Sequence, residues 1–320
     1  MFSDKVTDKL EQIIQDVACN QDILNLMTDC FRGVALRYSP LKDFVQFQIN
    51  ECQNNGTTLT QEGFQIGEPW NGDILNAPIL FLSSNPAFNF FEASPRLHKD
   101  GSITIPAHGN NPEEYMKLES IQNFLRCRIQ DSPENQNSPQ VLNIPLINGN
   151  PLGQNIDSVS YWGNVRNRTE GLLPANLTAG WKANPELSQK DYARKIMKYA
   201  VCTEIVPFRS SAQNGVNNNS LSFCWDNFAQ RILSIAGASV FILVGQSALN
   251  TFVDKVGDAQ ALATLNSGNI YQRKIGGRDR LIIRLGFNCG NIYKLDGNPN
   301  NGSINPATLT ELKSAVAKAI

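Results

Sequence analysis

Asn85 stands where an apolar strand gives way to a turn. The run from Ile79 to Leu82 is apolar, and Ser83-Ser84-Asn85-Pro86 follows it directly. In an open α/β sheet, ligands bind outside the carboxyl ends of the strands, so a polar side chain at this point is predicted to face a pocket. An amide there can orient a water molecule but cannot serve as an effective base. An ordinary Asn-Pro turn after a buried strand is the alternative.

Aromatic side chains follow this turn. Phe88 comes directly after it and is predicted to offer a flat surface on which a planar ring could stack. Phe90 and Phe91 fit core packing better. His98 and His108 are the two histidines of the chain, and either could contact a ligand or lie on the surface without a role.

Polar residues also follow the second strand, which we predict at Val201 to Val206. Arg209, Ser210 and Ser211 come just past its carboxyl end. One cation and two hydroxyl groups in that position could grip a phosphate. A solvated loop arginine is the alternative.

Two further strands, at Val240 to Val244 and at Leu281 to Leu285, end in small loops. The first leads into Gly245 and a helix start, whose free amide groups suit an anion. The second leads into Asn288-Cys289-Gly290-Asn291, which could close over a pocket or form an ordinary turn.

Helical patterns separate these four strands, at Asp191 to Tyr199, Phe223 to Ile235 and Ser247 to Val256. Alternating strands and helices predict an α/β fold with a mostly parallel, four-stranded sheet and helices on both faces. Residues 1–72 are predicted to be a helical extension packed on a core formed by residues 73–320. A long insertion rich in Pro, Asn, Gly and Ser occupies residues 95–190, and such excursions are typical of lids or binding loops.

Composition narrows the class of protein. With 28 Lys and Arg against 29 Asp and Glu, the net charge is −1, so any surface that binds nucleic acid must be a local patch. No apolar stretch is long enough to span a bilayer and no signal peptide is evident, which predicts a cytoplasmic protein without a membrane partner.

Gly276-Gly277 is predicted to be a hairpin turn, and no phosphate-binding glycine loop is present. Seven scattered cysteines without a C-x-x-C pair predict reduced, mostly buried thiols and no metal site: Cys19, Cys30, Cys52, Cys127, Cys202, Cys224 and Cys289.

Taken together, these strand ends resemble the uracil-DNA glycosylase superfamily. Ser83-Ser84-Asn85-Pro86-Ala87 is similar to the Asn-Pro version of the superfamily's first motif, found in its mismatch-specific and thymine-glycosylase branches. Tyr161 to Arg166 is similar to the aromatic helix after that motif, and Ile205 to Ser210 to the family's Asn-x-x-Pro strand end. The second motif would fall at Asn288 to Asn291, where this chain has neither the usual His nor Pro. Ser83 and Ala87 also stand where the family has glycines.

The resemblance implies a three-layer α/β/α fold and a monofunctional DNA glycosylase, a hydrolase that needs no cofactor or metal. Asn85 would position the attacking water, and the base-binding residues would be Ser83, Ser84, Phe88 and Asn288. DNA contacts would come from Arg166, Arg168, Arg209, Ser210, Ser211 and Asn291.

The substrate stays open at this point. A bulky modified cytosine in phage DNA, removed in antiviral defence, is one expectation, because small residues and a long loop leave room for an adduct. Repair of uracil or thymine mismatches is its rival. The DNA could be double- or single-stranded, and no obligatory protein partner is predicted. A non-catalytic module of the same fold that binds nucleotides or nucleic acid is the third possibility.

Overall fold

The computed structural model of the protein describes residues 64–65, 70–84, 96–97, 103–104, 161–207, 216–285, 287–288, 291–292 and 304–320. The chain divides into two compact units. The first comprises Met1–Trp70, Ser84–Ile129 and Glu204–Ile232, and the second comprises Asn71–Ser83, Gln130–Thr203 and Leu233–Ile320.

The strands of the described segments form three sheets. Six of the strands form the main sheet, in the order β2-β6-β3-β7-β9-β8. Two small antiparallel sheets consist of β1, β4 and β5 and of β10 and β11. In chain order the strands are β1 (Phe64–Gln65), β2 (Trp70–Asn71), β3 (Ile79–Ser83), β4 (Arg96–Leu97), β5 (Ile103–Thr104), β6 (Ala200–Glu204), β7 (Val240–Val244), β8 (Tyr271–Ile275), β9 (Arg278–Leu285), β10 (Phe287–Asn288) and β11 (Asn291–Ile292).

The centre of the main sheet is parallel. β3 pairs in parallel with β7, and β7 pairs in parallel with β9. The N–H of Ile79 donates to the carbonyl oxygen of Tyr199 at 3.2 Å, and the N–H of Val206 donates to that of Ser84 at 2.9 Å. Because the starts of β3 and β6 are joined by one bond and their ends by the other, these two strands also run in the same direction. β8 is antiparallel to β9.

The central strands are apolar because both of their faces are covered. Every residue of β7, Val240 to Val244, is buried, and such continuous apolar runs are typical of strands enclosed on both faces. Helices alternate with the strands along the described part of the chain. They are α1 (Tyr161–Leu172), α2 (Ala175–Lys182), α3 (Gln189–Met197), α4 (Asn218–Cys224), α5 (Gln230–Ile235), α6 (Gln246–Val256), α7 (Ala259–Asn266) and α8 (Pro306–Ala319), with a π-helical segment, Trp225–Ala229, between α4 and α5.

Alternate residues of the strands point to opposite faces of the sheet. On one face, side chains of β3, β6, β7 and β9 form a core with residues of α1, α3 and α8. On the opposite face, α6 contacts β3 and β7, and α7 contacts β9. Helices on both faces make the fold compatible with a three-layer α/β/α arrangement.

Side-chain caps fix where several helices begin. Ser188 precedes α3 and its hydroxyl accepts from the N–H of Asp191 at 3.1 Å. Asn305 precedes α8 and its carboxamide oxygen accepts from the N–H of Thr308 at 2.8 Å. Each cap satisfies an N–H that the first helical turn leaves without an intrahelical partner.

A buried arginine holds the loop that leads into β7. Arg280, on β9, is 2% exposed. Its Nη2 donates to the carbonyl oxygen of Ala236 at 2.6 Å, and its Nη1 donates to those of Gly237, at 3.1 Å, and Ala238. The guanidinium also lies 5.3 Å from the centre of the Phe241 ring. One side chain thus satisfies three consecutive carbonyl groups that would otherwise lose their hydrogen bonds to water.

The β8–β9 hairpin confirms the turn predicted at Gly276-Gly277. Ile275 pairs with Arg278 across it, and the two glycines have φ of 58° and 77°. A two-residue hairpin turn with both central φ values positive favours glycine strongly.

Four strands and three helices predicted from the sequence are confirmed, with ends shifted by a few residues. The sheet is larger than predicted, since β2 and β8 extend it on either side. Within the predicted insertion, residues 161–172 and 175–182 are helical. The helices predicted before residue 50 lie outside the described residues. Near the end of the predicted extension, the structure describes two short strands, Phe64–Gln65 and Trp70–Asn71.

Candidate functional site

The strand order creates a topological switch point beside β3. From β3 the chain goes to β6 on one side and then returns to β7 on the other. In doubly wound sheets, ligands bind outside the carboxyl ends of the strands at such a point. The β3–β7 register, Ile79 with Val240 through Leu82 with Leu243, brings the carboxyl ends of both strands to the same edge.

Ser83 and Ser84 lie at the end of β3, as predicted. Ser83 is half-buried, and Ser84 is 7% exposed. The carbonyl oxygen of Ser84 accepts from the N–H of Val206 at 2.9 Å, so the backbone stays paired one residue beyond the strand. This pairing fixes the point from which the chain enters Asn85. Asn85 and Phe88 lie outside the described residues, as do Arg209, Ser210 and Ser211.

The end of β7 is a glycine turn that leads into α6. Gly245 has φ of 86° and precedes the helix without a side-chain cap. A β-carbon added there would meet no atom of the described structure within 4 Å. The first turn of α6 contains no acidic residue. The first turn of α6 therefore offers no carboxylate of its own that would repel an anion, and no described atom fills the space beside Gly245.

Arg284 supplies a cation at the same edge. It lies opposite Leu243 in the β7–β9 register and is half-buried. Its Nη2 donates to Oε1 of Gln246 at 2.8 Å and its Nη1 donates to Oδ1 of Asn266. Both partners are neutral amides, so among the described residues no hydrogen-bonded carboxylate offsets the arginine charge.

The end of β6 carries a carboxylate that our sequence reasoning did not select. Glu204 is 4% exposed, and Ile205, Val206 and Pro207 after it are buried as well. The signal was present in the sequence: Glu204 is a charged residue within a predicted buried strand, and charged residues are almost never fully buried unless they are paired.

Arg166 and Arg168, which are predicted to contact DNA, are both buried. They are 1% and 5% exposed. Burial lowers the pKa of Arg166, although Glu170 and Tyr192 oppose the shift, and burial lowers the pKa of Arg168 to about 10. A guanidinium that water cannot reach is not positioned to contact a phosphate of DNA.

The surroundings of Arg166 indicate a structural role. Its Nε donates to Oδ1 of Asn167 at 3.1 Å. Nearby, the hydroxyl of Tyr192 donates to Oε1 of Glu170 at 2.8 Å, and Nζ of Lys182 lies 2.6 Å from the same oxygen. The hydrogen bond from Tyr192 joins α3 to α1, and the ion pair joins α2 to α1.

Asn288 and Asn291 are paired with each other across the β10–β11 hairpin. This backbone pairing agrees with the alternative of an ordinary turn, and the side chains of both residues lie outside the described part of the structure.

Two of the predicted buried thiols, Cys202 and Cys224, lie in the described segments, and both are buried. Burial raises the pKa of Cys224, which keeps its thiol protonated at neutral pH.

Among the described residues, no group of three or more His, Cys, Asp or Glu side chains could hold a metal ion. In the same segments, no helix is both long and apolar enough to cross a membrane. Comparison of the chain with models of known protein families and with curated proteins finds no match.

Proposed function

We propose that the protein is a DNA glycosylase that hydrolyses the N-glycosidic bond of a flipped base. One observation carries the proposal: β3 borders the switch point of the sheet, and its end leads through Ser83 and Ser84 directly into Asn85-Pro86. The position is where this class of fold binds its ligands. The residues are those that resemble the first motif of the uracil-DNA glycosylase superfamily.

The proposed chemistry follows from the residue types. Cleavage of an N-glycosidic bond passes through an oxocarbenium-like sugar, so the enzyme must hold a water against C1′ and stabilise the departing base. Asn85 would orient that water without acting as a base. Turnover should therefore be slow unless the base is a good leaving group or its binding supplies the missing stabilisation.

DNA would be held by local contacts because the net charge of the chain is −1. Arg284 supports this proposal, since it is partly exposed at the carboxyl edge and is bonded to neutral amides. Four further contacts to DNA remain predictions: Arg209, Ser210, Ser211 and Asn291. Because Arg166 and Arg168 are buried, we leave them out of the proposed surface.

The test is direct detection of excised bases. Purified protein is incubated with genomic DNA that carries uracil, thymine mismatches, 5-hydroxymethylcytosine or glucosylated 5-hydroxymethylcytosine, in EDTA and without ATP. We expect alkali-labile sites in at least one DNA and a matching free base in mass spectrometry. A protein that binds these DNAs but releases no base would be a non-catalytic binding module. Release from phage-type modified cytosines would favour defence, and release of uracil or thymine would favour repair.

A further inference from the structure

An aromatic cluster lies beside the amino edge of the main sheet. Trp181, the last residue but one of α2, and Tyr199, directly before β6, are both half-buried. Their rings stack, with centroids 6.1 Å apart and an angle of 26° between the planes. The carbonyl oxygen of Tyr199 accepts from the N–H of Ile79 at the start of β3, so the cluster lies away from the carboxyl edge.

A buried neighbour fixes the orientation of the Trp181 ring. Tyr192 of α3 is 0% exposed, and its ring meets that of Trp181 edge-on, with centroids 6.4 Å apart and planes at 82°. The hydroxyl of Tyr192 is held in turn by its hydrogen bond to Glu170 of α1. Trp181 is therefore a positioned ring that is still partly exposed, and a positioned group loses little conformational freedom when it binds a ligand.

Basic residues surround this cluster. Residues 181–199 contain five Lys or Arg and two Asp or Glu, although the net charge of the whole chain is −1. Nζ of Lys195 lies over the Trp181 ring, 5.7 Å from its centre. Lys195 is exposed, so the group that covers this face of the ring is a flexible side chain that a ligand can displace.

Two of these cations are not neutralised by a carboxylate. Arg194 pairs with Asp191 at 2.8 Å, and Lys182 pairs with Glu170. The other two exposed cations, Lys195 and Lys198, form no ion pair with any described residue. They are three residues apart and therefore lie on the same side of the helix end. Cations in a last helical turn stabilise the helix dipole, a role that does not require the two aromatic rings beside them.

We propose that this aromatic and basic surface binds single-stranded DNA, with a base on the Trp181 ring and phosphates on Lys195 and Lys198. Proteins that bind single strands without sequence preference combine cations along the backbone with aromatic side chains on which bases stack. In a duplex the bases stack on each other, so a protein ring can stack on a base only where the strand is unpaired. The choice of DNA over RNA rests on the proposed glycosylase function.

This surface is separate from the proposed catalytic edge. β3 is five residues long, and at about 3.3 Å per residue the two edges of the sheet are about 17 Å apart. A strand bound here is held without any contact to the base that is excised. Two linked points of attachment give a higher overall affinity than either one alone.

The first experiment measures binding of a fluorescently labelled oligo(dT) of about 20 nucleotides by anisotropy over a salt series. Wild type should bind the single strand more tightly than the corresponding dA·dT duplex. Lys195→Gln/Lys198→Gln should reduce the slope of log affinity against log salt by about 1.4, because each phosphate contact to a single strand contributes about 0.7. The matched control, Lys313→Gln/Lys318→Gln, removes two exposed lysines of α8 and should keep the wild-type slope.

The second experiment tests stacking with Trp181→Phe. The smaller ring should weaken binding by about 3- to 10-fold at constant salt and leave the salt slope unchanged. Trp70 and Trp225 are buried, so oligo(dT) should quench the tryptophan fluorescence of wild type and quench that of Trp181→Phe much less. Thermal unfolding of each variant is measured first, and if Trp181→Phe does not fold, the salt slope of the lysine pair decides.

The outcomes are distinguishable from those that test the glycosylase. The inference is overturned if Lys195→Gln/Lys198→Gln keeps the wild-type salt slope, if the duplex binds as tightly as the single strand, or if an RNA of the same length binds more tightly than the DNA. None of these measurements uses excision. A protein that binds oligo(dT) through this surface but releases no base would retain this inference and lose the proposed function, and excision without such binding would do the reverse.

Discussion

The N–H of Val206 donates to the carbonyl oxygen of Ser84 at 2.9 Å. This single bond continues the pairing of β3 with the segment after β6 beyond the last residue of β3. Because the bond pairs the backbone immediately before Asn85, we expect a substitution of the Asn85 side chain to leave β3 itself intact.

Replacing Asn85 by Ala should lower single-turnover base excision by about two to three orders of magnitude, the usual effect of losing one preorganised polar group in a catalytic site. The thermal midpoint should stay near that of wild type. Asn76→Ala, an exposed asparagine in the turn before the same strand, is the matched control and should retain full activity. Equal excision rates in Asn85→Ala and wild type would place the chemistry elsewhere.

Replacing Arg284 by Gln should weaken DNA binding and make it less sensitive to salt. Loss of one phosphate contact reduces the slope of log affinity against log salt by about 0.9. The slope is measured on a short duplex over a salt series. Arg278→Gln removes an exposed arginine at the other end of the same strand and should leave the slope unchanged. If Arg284→Gln loses thermal stability but keeps the wild-type salt slope, Arg284 only connects α6 and α7 and does not bind DNA.

Stability should fall at alkaline pH through Tyr192. The pKa of Tyr192 lies above the ordinary value of 10.0, mainly because the side chain is buried and secondly because it donates a hydrogen bond to Glu170. Above that pH the tyrosine of the unfolded chain loses its proton while Tyr192 in the folded protein retains it, so unfolding becomes more favourable. The stabilisation is complete below about pH 10 and should decrease progressively as the pH rises above that value.

The measurement is urea unfolding of wild type and Tyr192→Phe from neutral pH to about pH 11. The variant lacks the phenol, so its free energy of unfolding should decrease less over the alkaline range. Tyr199→Phe allows comparison with a tyrosine whose pKa is raised by burial alone. Identical pH profiles for Tyr192→Phe and wild type would contradict the assignment.

The two turn glycines of the β8–β9 hairpin should differ in their tolerance of alanine. Both have positive φ, which costs alanine about 1 kcal/mol. A β-carbon at Gly276 would also lie 2.0 Å from the carbonyl oxygen of Ser234, whereas one at Gly277 would meet no described atom within 4 Å. Gly276→Ala should therefore lower the free energy of unfolding by several kcal/mol more than Gly277→Ala. Equal losses in urea unfolding would show that the end of α5 at Ser234 moves away easily.

The strands of the central sheet could be predicted because their apolar runs are continuous and end at polar residues. The edge strand β8 was missed, since Arg273 and Lys274 interrupt its apolar pattern and only Gly276-Gly277 hinted at a hairpin. Arg166 was placed on the surface because its sequence neighbours are polar. Its burial depends on how α1 packs against α3, which a local pattern does not contain.

The candidate site was predictable only in part for a similar reason. Ser83 and Ser84 follow from the end of an apolar run. Glu204 was overlooked because it lies inside a run from Val201 to Val206 that was interpreted as a strand. Arg284 was overlooked because the strand prediction emphasised its apolar neighbours. Both charged residues became visible once the register of the sheet placed them near strand ends.

During synthesis, the loop before β7 can form its hydrogen bonds to Arg280 only after the ribosome has made β9. The three carbonyl groups that Arg280 satisfies precede it by 42 to 44 residues. At about 5–20 residues per second, a ribosome would complete the central strand β7 seconds before β9 and Arg280 emerge. Until then β7 lacks its partner on one side, and an unpaired apolar edge is a template for aggregation. The nascent chain therefore depends on rapid arrival of the β8–β9 hairpin, and slow translation between residues 244 and 280 should reduce the yield of native protein.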